Sequence, residues 1–224
     1  MKCLYPICNH DVEVFILEPI DARMYCLINE DKALIIDPSA TNEVKSFFRD
    51  KKIKDITIIL THEHIDHISG VNFFKQISNC KVICSEKCSK RIIDNQKNLA
   101  IYIEGMFCMH SEEEQLKIRK LNLLNYTCNA DKIFNEQYTF KWEDLDIECI
   151  ELPGHSPGSI GIIINSKYIF SGDSFIPGEE IITKLPGGNK KAYEKITKNF
   201  FKNILLNAII YPGHKNILEM RDMR

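Results

Sequence analysis

The sequence predicts an α/β (α+β) protein in which two mixed β-sheets pack together and carry helices on their outer faces. Three observations support this class. Short apolar runs typical of strands alternate with segments of helical periodicity through both halves of the chain. Several strand pairs are separated only by a short turn, which indicates hairpins. The 224 residues include 44% hydrophobic and 27% charged side chains, a balance typical of a protein with its own hydrophobic core.

The first half of the chain contains most of the predicted strand–helix alternation. Apolar runs bounded by turn residues predict strands at 12–18, 24–29, 32–37, 55–60 and 81–84. Amphipathic spacing predicts helices at 41–51 and 67–77. Because strands and helices follow one another directly, we expect sheets that contain parallel as well as antiparallel neighbours.

The middle of the chain differs from its flanks. Residues from about 86 to 130 are polar and mostly helical in pattern, and we interpret them as a helical excursion beside the functional site. Strand patterns return at 138–142, 145–152, 159–165 and 167–171, followed by a helix near 190–203 and a strand at 208–211. No linker composition interrupts the sequence, so we expect residues 1–224 to form a single domain.

Composition argues against several classes of partner. The formal net charge is −2 and no lysine or arginine run is present, which disfavours nucleic acid and membrane surfaces as partners. No run of about 18 apolar residues or apolar secretory core is visible. The nine cysteines are scattered. We therefore expect a cytoplasmic protein with reduced thiols that acts on a small-molecule substrate, and its oligomeric state is left open.

The segment 61–67, T-H-E-H-I-D-H, holds three of the seven histidines. It follows an isoleucine-rich strand and precedes a helix, so it lies on a turn of the kind that often displays binding groups. In an extended stretch His62 and His64 point to the same side, whereas Asp66 and His67 follow the turn. Imidazoles and a carboxylate so close together favour zinc or iron over magnesium or calcium.

Further metal-binding side chains occur at the ends of later strands. His155 lies in the turn L-P-G-H-S-P-G-S, Asp173 follows an apolar run in S-G-D-S, and His214 follows another in Y-P-G-H. Each is flanked by glycine or proline, which lets the chain turn tightly. A metal site assembled from several strand ends requires this arrangement.

Taken in order, the patterns H-x-H-x-D-H, G-H-S-P-G-S, G-D-S and P-G-H resemble the metallo-β-lactamase superfamily. The S-G-D-S, L-P-G-G and Y-P-G-H segments are most similar to its glyoxalase II-like (hydroxyacylglutathione hydrolase-like) branch. The resemblance extends from about residue 12 to residue 215. It implies a four-layer αββα sandwich with metal ions at one edge.

The resemblance also implies a role for each matching residue. The first metal would be held by His62, His64 and His155. The second would be held by Asp66, His67 and His214, with Asp173 bridging the two. The cofactors implied are two zinc ions, with iron or a mixed pair as alternatives. A metal-bridging hydroxide would attack a thioester or related small ester, and Asp66 would be catalytic by orienting that hydroxide and passing on its proton.

The sequence also departs from the glyoxalase II pattern. Residues 181–188 read I-I-T-K-L-P-G-G, so the usual arginine and aspartate are missing, and the printed chain ends ten residues after His214. Glyoxalase II enzymes continue into a helical domain that holds glutathione, so we expect weak discrimination between glutathione and other thiol carriers.

Two other activities remain open. One is a lactonase-like or β-lactamase-like hydrolase on the same site. The other is a persulfide dioxygenase-like oxygenase, with one iron held by His62, His155 and Asp173.

The sequence also suggests roles for residues outside these motifs. For Asp37 we favour a structural carboxylate that accepts a backbone hydrogen bond near the site. Lys184 could meet an anionic substrate, although a solvated lysine explains it equally well. Tyr211 belongs either to the core or to the site. The cysteines that recur at every fourth position are expected to be buried, reduced thiols: Cys80, Cys84 and Cys88.

Overall fold

Two six-stranded mixed sheets form the centre of the computed structural model, which describes residues 6–223. Within these residues the first sheet has its strands in chain order. They are β1 (Val12–Leu17), β2 (Ala22–Asn29), β3 (Lys32–Ile36), β4 (Asp55–Ile59), β5 (Asn79–Ser85) and β6 (Lys132–Phe134). Neighbours are antiparallel from β1 to β3 and parallel from β3 to β6, so β3 and β4 end at the same edge.

The second sheet also follows chain order. Its strands are β7 (Gln137–Trp142), β8 (Leu145–Glu151), β9 (Ile160–Ile164), β10 (Tyr168–Gly172), β11 (Ile209–Pro212) and β12 (Leu218–Glu219). β10 and β11 are parallel, and the other neighbours are antiparallel. Because β8 and β10 are both antiparallel to β9, the strands β8, β10 and β11 all end at one edge.

The helices lie outside the sheets. They are α1 (Asn42–Arg49), α2 (Ile65–Ile68), α3 (Val71–Ile77), α4 (Glu86–Ile92), α5 (Ile103–Met106), α6 (Glu112–Leu121), α7 (Lys190–Ala192) and α8 (Lys198–Lys202). A π-helical stretch, Tyr193–Thr197, joins α7 to α8. Within residues 6–223 no helix combines the length and apolar composition needed to cross a membrane.

Alternation along the strands creates separate apolar layers. In β4, Ile58 packs into the cluster between the first sheet and its helices, whereas its neighbour Ile59 packs between the two sheets. On the far side, Ile169 packs with Phe201 of α8. Helix, sheet, sheet and helix layers result, as the sequence predicted.

The structure differs from the sequence prediction in several local features. The single helix predicted at 67–77 is two helices, α2 and α3, separated at Ser69 and Gly70. A Cβ on Gly70 would lie 2.6 Å from the Ser39 backbone, so this break lets two segments approach closely. The excursion contains three α-helices, α4, α5 and α6, and a 3-10 turn at Ala100–Tyr102, with irregular chain between and after them. Strands β6 and β12 were missed because they are too short to show a period.

Candidate metal centre

The residues that follow five of the strands lie close together. The ends of β3 and β4 carry Asp37 and the 61–67 segment. The ends of β8, β10 and β11 carry the turns that contain His155, Asp173 and His214. His67 contacts His214 and His64 contacts His155, which joins the two sheets. The site therefore lies where both sheets end.

The first group of ligands consists of three imidazoles. His62, His64 and His155 place one nitrogen each within 4.8 Å of one another. Nδ1 of His64 lies 3.0 Å from Nε2 of His155, and both residues are only 4% exposed. The turn after β4 and the turn after β8 therefore meet at this point.

The second group combines one carboxylate and two imidazoles. Nε2 of His67 and Nε2 of His214 are 3.4 Å apart. Oδ2 of Asp66 lies 3.4 Å from each of these nitrogens. The three atoms thus form a nearly equilateral triangle, although α2 and the turn after β11 are far apart in the sequence.

Asp173 contacts both groups. Its Oδ1 lies 3.4 Å from Nε2 of His67, and its Oδ2 lies 3.4 Å from Nε2 of His155 and from Nε2 of His214. One carboxylate therefore adjoins the His62 group through His155 and the Asp66 group through His67 and His214. This is the placement expected of a ligand shared by two ions.

The distances suit a metal ion. Ligand bonds of about 2.0–2.2 Å place neighbouring ligands of a tetrahedral ion roughly 3.3–3.6 Å apart. The separations of 3.4 Å around His67, His214 and Asp173 fall in this range. In addition, Nε2 of His62 and Oδ1 of Asp173 are buried without a hydrogen-bond partner. Buried polar atoms normally have partners, so the donor set fits a metal that would occupy the space between them.

Asp37 holds the ligands in orientation. Its Oδ1 accepts a hydrogen bond from the backbone N–H of Thr61 at 2.7 Å, which confirms the predicted structural role. Its Oδ2 accepts one from Oγ1 of Thr61 at 2.5 Å and lies 2.9 Å from Nδ1 of His67. The latter contact directs Nε2 of His67 toward Asp66 and His214, an interaction that sequence reasoning missed.

Two other imidazoles are oriented in the same way. Nδ1 of His62 lies 3.0 Å from Oγ1 of Thr61, and Nδ1 of His155 lies 2.9 Å from the carbonyl oxygen of Ile182. Since a carbonyl oxygen can only accept, His155 donates from Nδ1 and leaves Nε2 unprotonated when the ring is neutral. Neutral imidazole nitrogens of this kind are metal ligands.

Burial and charge set the protonation states of the metal-binding side chains. Burial lowers the pKa of His62 well below its usual value and that of His64 to about 3, so both rings are neutral near pH 7. Burial acts to raise the pKa of Asp66, but His67 and His214 outweigh it and hold this pKa well below its ordinary value. Burial acts to lower the pKa of His67 and of His214, but the neighbouring carboxylates outweigh it, holding the pKa of His67 well above its usual value and raising that of His214 to about 10. The site therefore offers neutral imidazoles at His62 and His64, an ionised carboxylate at Asp66, and two imidazoles that must release a proton to bind a metal.

A buried ion pair connects α4 to the turns that carry the candidate ligands. Glu63 lies between two ligands in sequence and is fully buried, and its Oε1 is 2.6 Å from Nε of Arg91 in α4. Its Oε2 accepts a hydrogen bond from Oγ of Ser156, the residue after His155. Arg91 also donates from Nη2 to the carbonyl oxygen of Pro186 at 2.9 Å. Sequence reasoning missed this network because its members are distant in the chain.

A cavity of about 320 Å³ opens beside the metal-binding atoms. His155, Asp173 and His214 reach its wall. The remaining lining residues are Ile20, Asp21, Ile176, Glu179, Glu180, Ile182 and Lys215. The candidate metal centre is thus accessible to a small molecule.

Comparison with known proteins identifies the family. The sequence profile of the metallo-β-lactamase superfamily matches residues 22–214. The chain belongs to the metallo-β-lactamase superfamily. Among curated relatives, the probable metallo-hydrolase YqgX of Bacillus subtilis is 26% identical over 88% of this chain and 86% of its own length. A hydroxyacylglutathione hydrolase of Bdellovibrio bacteriovorus is 28% identical over 89% of this chain, which spans 66% of that relative.

Solved structures share the fold. The BLEG-1 B3 metallo-β-lactamase superposes with a TM-score of 0.74 at 21% identity, over 94% of both chains. TTHA1623, solved in a di-iron-bound form, superposes with a TM-score of 0.68 at 20% identity over 94% of this chain and 96% of its own. At these identities the likeness extends to architecture alone.

The remaining sequence-predicted residues lie away from the reacting centre. Tyr211 is fully buried and stacks on Phe170, so it belongs to the core between the sheets. Cys84 and Cys88 are buried as predicted, whereas Cys80 is half-buried. Lys184 is exposed and does not line the cavity.

Proposed function

We propose that this metallo-β-lactamase superfamily member hydrolyses thioesters or related small esters with two metal ions bound at the candidate metal centre. The observation that carries the proposal is the position of Asp173. Its two oxygens adjoin two separate groups of ligands, and every separation around it is 3.4 Å. A second group of possible ligands, Asp66, His67 and His214, lies directly beside the first, which favours two ions over one.

The metals we propose are two zinc ions, with iron or a mixed pair as alternatives. An imidazole-rich donor set suits both elements, and the similar TTHA1623 has been solved in a di-iron-bound form. When bound, such ions would lower the pKa of a coordinated water and supply hydroxide near neutral pH. The seven ligands we propose are His62, His64, Asp66, His67, His155, Asp173 and His214.

Asp66 is the protein group we propose for proton handling. Its side chain is 17% exposed, so it borders both the second ligand group and the solvent. Because its pKa lies well below the ordinary value, it is ionised and can accept a hydrogen bond from the attacking water. The hydrogen bond from Nδ1 of His155 to the carbonyl oxygen of Ile182 orients a second side chain at the same centre.

Relatives support the ester class of substrate. Hydroxyacylglutathione hydrolases of Bdellovibrio bacteriovorus and Haemophilus influenzae are each 28% identical to this chain. An oxygenase with a single iron would need only His62, His155 and Asp173. The contacts of Asp66, His67 and His214 with one another support a second metal position, and with it hydrolysis over oxygen chemistry.

A substrate panel tests this proposal. Metal-loaded protein would be assayed with a small acyl thioester, a lactone, a β-lactam and a phosphodiester, and its oxygen uptake would be measured with a persulfide. We expect the thioester to be hydrolysed with the highest kcat/KM and no oxygen uptake. His64→Ala should abolish turnover, whereas His110→Ala, at an exposed histidine of the excursion, should not. Oxygen consumption without thioester hydrolysis would assign the site to an oxygenase.

A further inference from the structure

The cavity beside the metal-binding atoms has an uneven distribution of charge. Apart from the proposed ligands, three carboxylate side chains line it, namely Asp21, Glu179 and Glu180. One ammonium group, that of Lys215, is present among the residues that the structure places there. The other lining side chains are those of Ile20, Ile176 and Ile182. The lining is therefore acidic and apolar.

The two glutamates carry most of this negative charge. Asp21 is partly neutralised, because its Oδ1 lies 3.4 Å from Nη2 of Arg23 and its Oδ2 accepts a hydrogen bond from the backbone of Lys215. Glu179 and Glu180 are exposed, and neither has an ion-pair partner among residues 6–223. The cavity wall therefore contains two carboxylates that no neighbouring cation neutralises by direct contact.

The same cavity ends on an unsatisfied buried group. Asp173 is only 9% exposed, lines the cavity, and keeps Oδ1 without a hydrogen-bond partner. His155 and His214 reach the same wall. A substrate whose reacting carbonyl lies at these residues would extend along a cavity wall that includes Glu179 and Glu180.

We propose that Glu179 and Glu180 determine specificity by charge: the site prefers small acyl thioesters with a neutral or cationic thiol portion and disfavours carriers that bear carboxylates or phosphates. This inference rests on the proposed thioesterase function. The expectation from the sequence was weak discrimination between thiol carriers. The charge of the cavity adds an order of kcat/KM, highest for cationic carriers, lower for neutral ones and lowest for anionic ones. Because exposed charges are screened by salt, the order must weaken as ionic strength rises.

Two thioesters of opposite charge and similar size test the preference. Acetylthiocholine carries a fixed cation, and S-acetyl-3-mercaptopropionate carries a carboxylate at a similar distance from sulfur. We expect kcat/KM to favour acetylthiocholine by about five- to twentyfold at low ionic strength, and by less than about twofold at 0.5 M salt. The double variant Glu179→Gln with Glu180→Gln should lower the low-salt preference at least about threefold.

A charge-matched control separates local from general effects. The double variant Asp146→Asn with Glu148→Gln also removes two negative charges, but from the first half of β8. His155 follows the other end of that strand. This variant should keep the preference unchanged. An equal preference in both double variants, or a faster anionic substrate in the unaltered protein, would overturn the inference.

Binding measurements keep the inference independent of turnover. Dissociation constants of thiocholine and 3-mercaptopropionate for the metal-loaded protein and for both double variants would be measured by calorimetry. We expect thiocholine to bind more tightly, and only the Glu179 and Glu180 variant to lose this difference. Failure to hydrolyse any thioester would reject the proposed function, whereas equal binding of the two thiols would reject the charge preference.

Discussion

Asp37 connects two parts of the metal motif without belonging to the proposed ligand set. It accepts hydrogen bonds from the backbone and hydroxyl of Thr61 and adjoins Nδ1 of His67. A carboxylate on the far nitrogen of a histidine fixes its ring and increases the basicity of the near nitrogen. The second metal position should therefore depend on Asp37 as well as on its direct ligands.

Replacement of this carboxylate should weaken metal binding. We expect Asp37→Asn to lower metal affinity by about 10- to 100-fold, because an amide no longer compensates the charge on His67. Competition with a chromogenic chelator measures this affinity. Asp146→Asn, at an exposed aspartate paired with Lys141, is the control and should bind metal normally. Unchanged affinity in Asp37→Asn would contradict the orienting role.

The buried thiols should not react with alkylating reagents in the folded protein. Burial raises the pKa of Cys128 and of Cys149 to about 12, so both remain protonated at neutral pH. We expect iodoacetamide to modify the exposed Cys8 and Cys108 in the folded protein, leave Cys128 and Cys149 unmodified, and preserve activity. Peptide mass spectrometry identifies the modified sites. Loss of activity with both metals retained would indicate a nucleophilic cysteine and contradict the proposed mechanism.

At the scale of the elements, the turns after the strands allow the ligands to meet. Gly213 lies against the site, and a Cβ there would overlap Oδ1 of Asp173 and lie 2.8 Å from Cε1 of His67. The glycine before His214 is therefore required for close approach, because backbone and ligands share the same space.

A methyl group at this position should displace the second ligand group. We expect Gly213→Ala to fold but to lose about one of two metal equivalents, since His67 and Asp173 cannot both keep their places. Metal analysis and circular dichroism test the two parts separately. Gly105→Ala is the matched control, because a Cβ on Gly105 meets nothing within 4 Å. Two tightly bound metals in Gly213→Ala would refute the argument.

The Glu63–Arg91 pair links α4 to the ligand-bearing turns and should contribute to stability. We expect Arg91→Gln to lower the free energy of unfolding by about 3–5 kcal/mol, because it leaves the buried carboxylate of Glu63 without its partner. Adding Glu63→Gln should restore part of this loss, which a double-mutant cycle in urea measures. Strictly additive losses would show that the two side chains do not act as a pair.

The sequence predicted the elements whose apolar pattern extends over several residues. It missed the features that depend on contacts between distant parts of the chain. The strands that precede Asp37, His62 and Asp173 were all expected, because apolar runs with turn residues are local signals. The break between α2 and α3 depends on the approach of Ser39 to Gly70, which no local pattern reveals. The partnership of Arg91 with Glu63 is likewise a tertiary contact between a helix and a turn.

At the scale of the whole molecule, two sheets combine into one site. Several strands of each sheet end at a common edge, and each of the two proposed ligand groups takes side chains from both sheets. His62 and His64 come from the first sheet and His155 from the second, whereas His67 and Asp66 meet His214 in the same way. Metal binding should therefore depend on the packing between the sheets.

Metal content and activity measured on one sample test the central claim most directly. Protein purified without added metal would be analysed for zinc and iron, stripped with a chelator, and reloaded, with thioester hydrolysis assayed at each stage. We predict about two metal equivalents per chain, loss of activity on stripping, and recovery that requires the second equivalent. Full thioesterase activity in the stripped protein, or saturation of activity at one equivalent, would contradict the two-metal site.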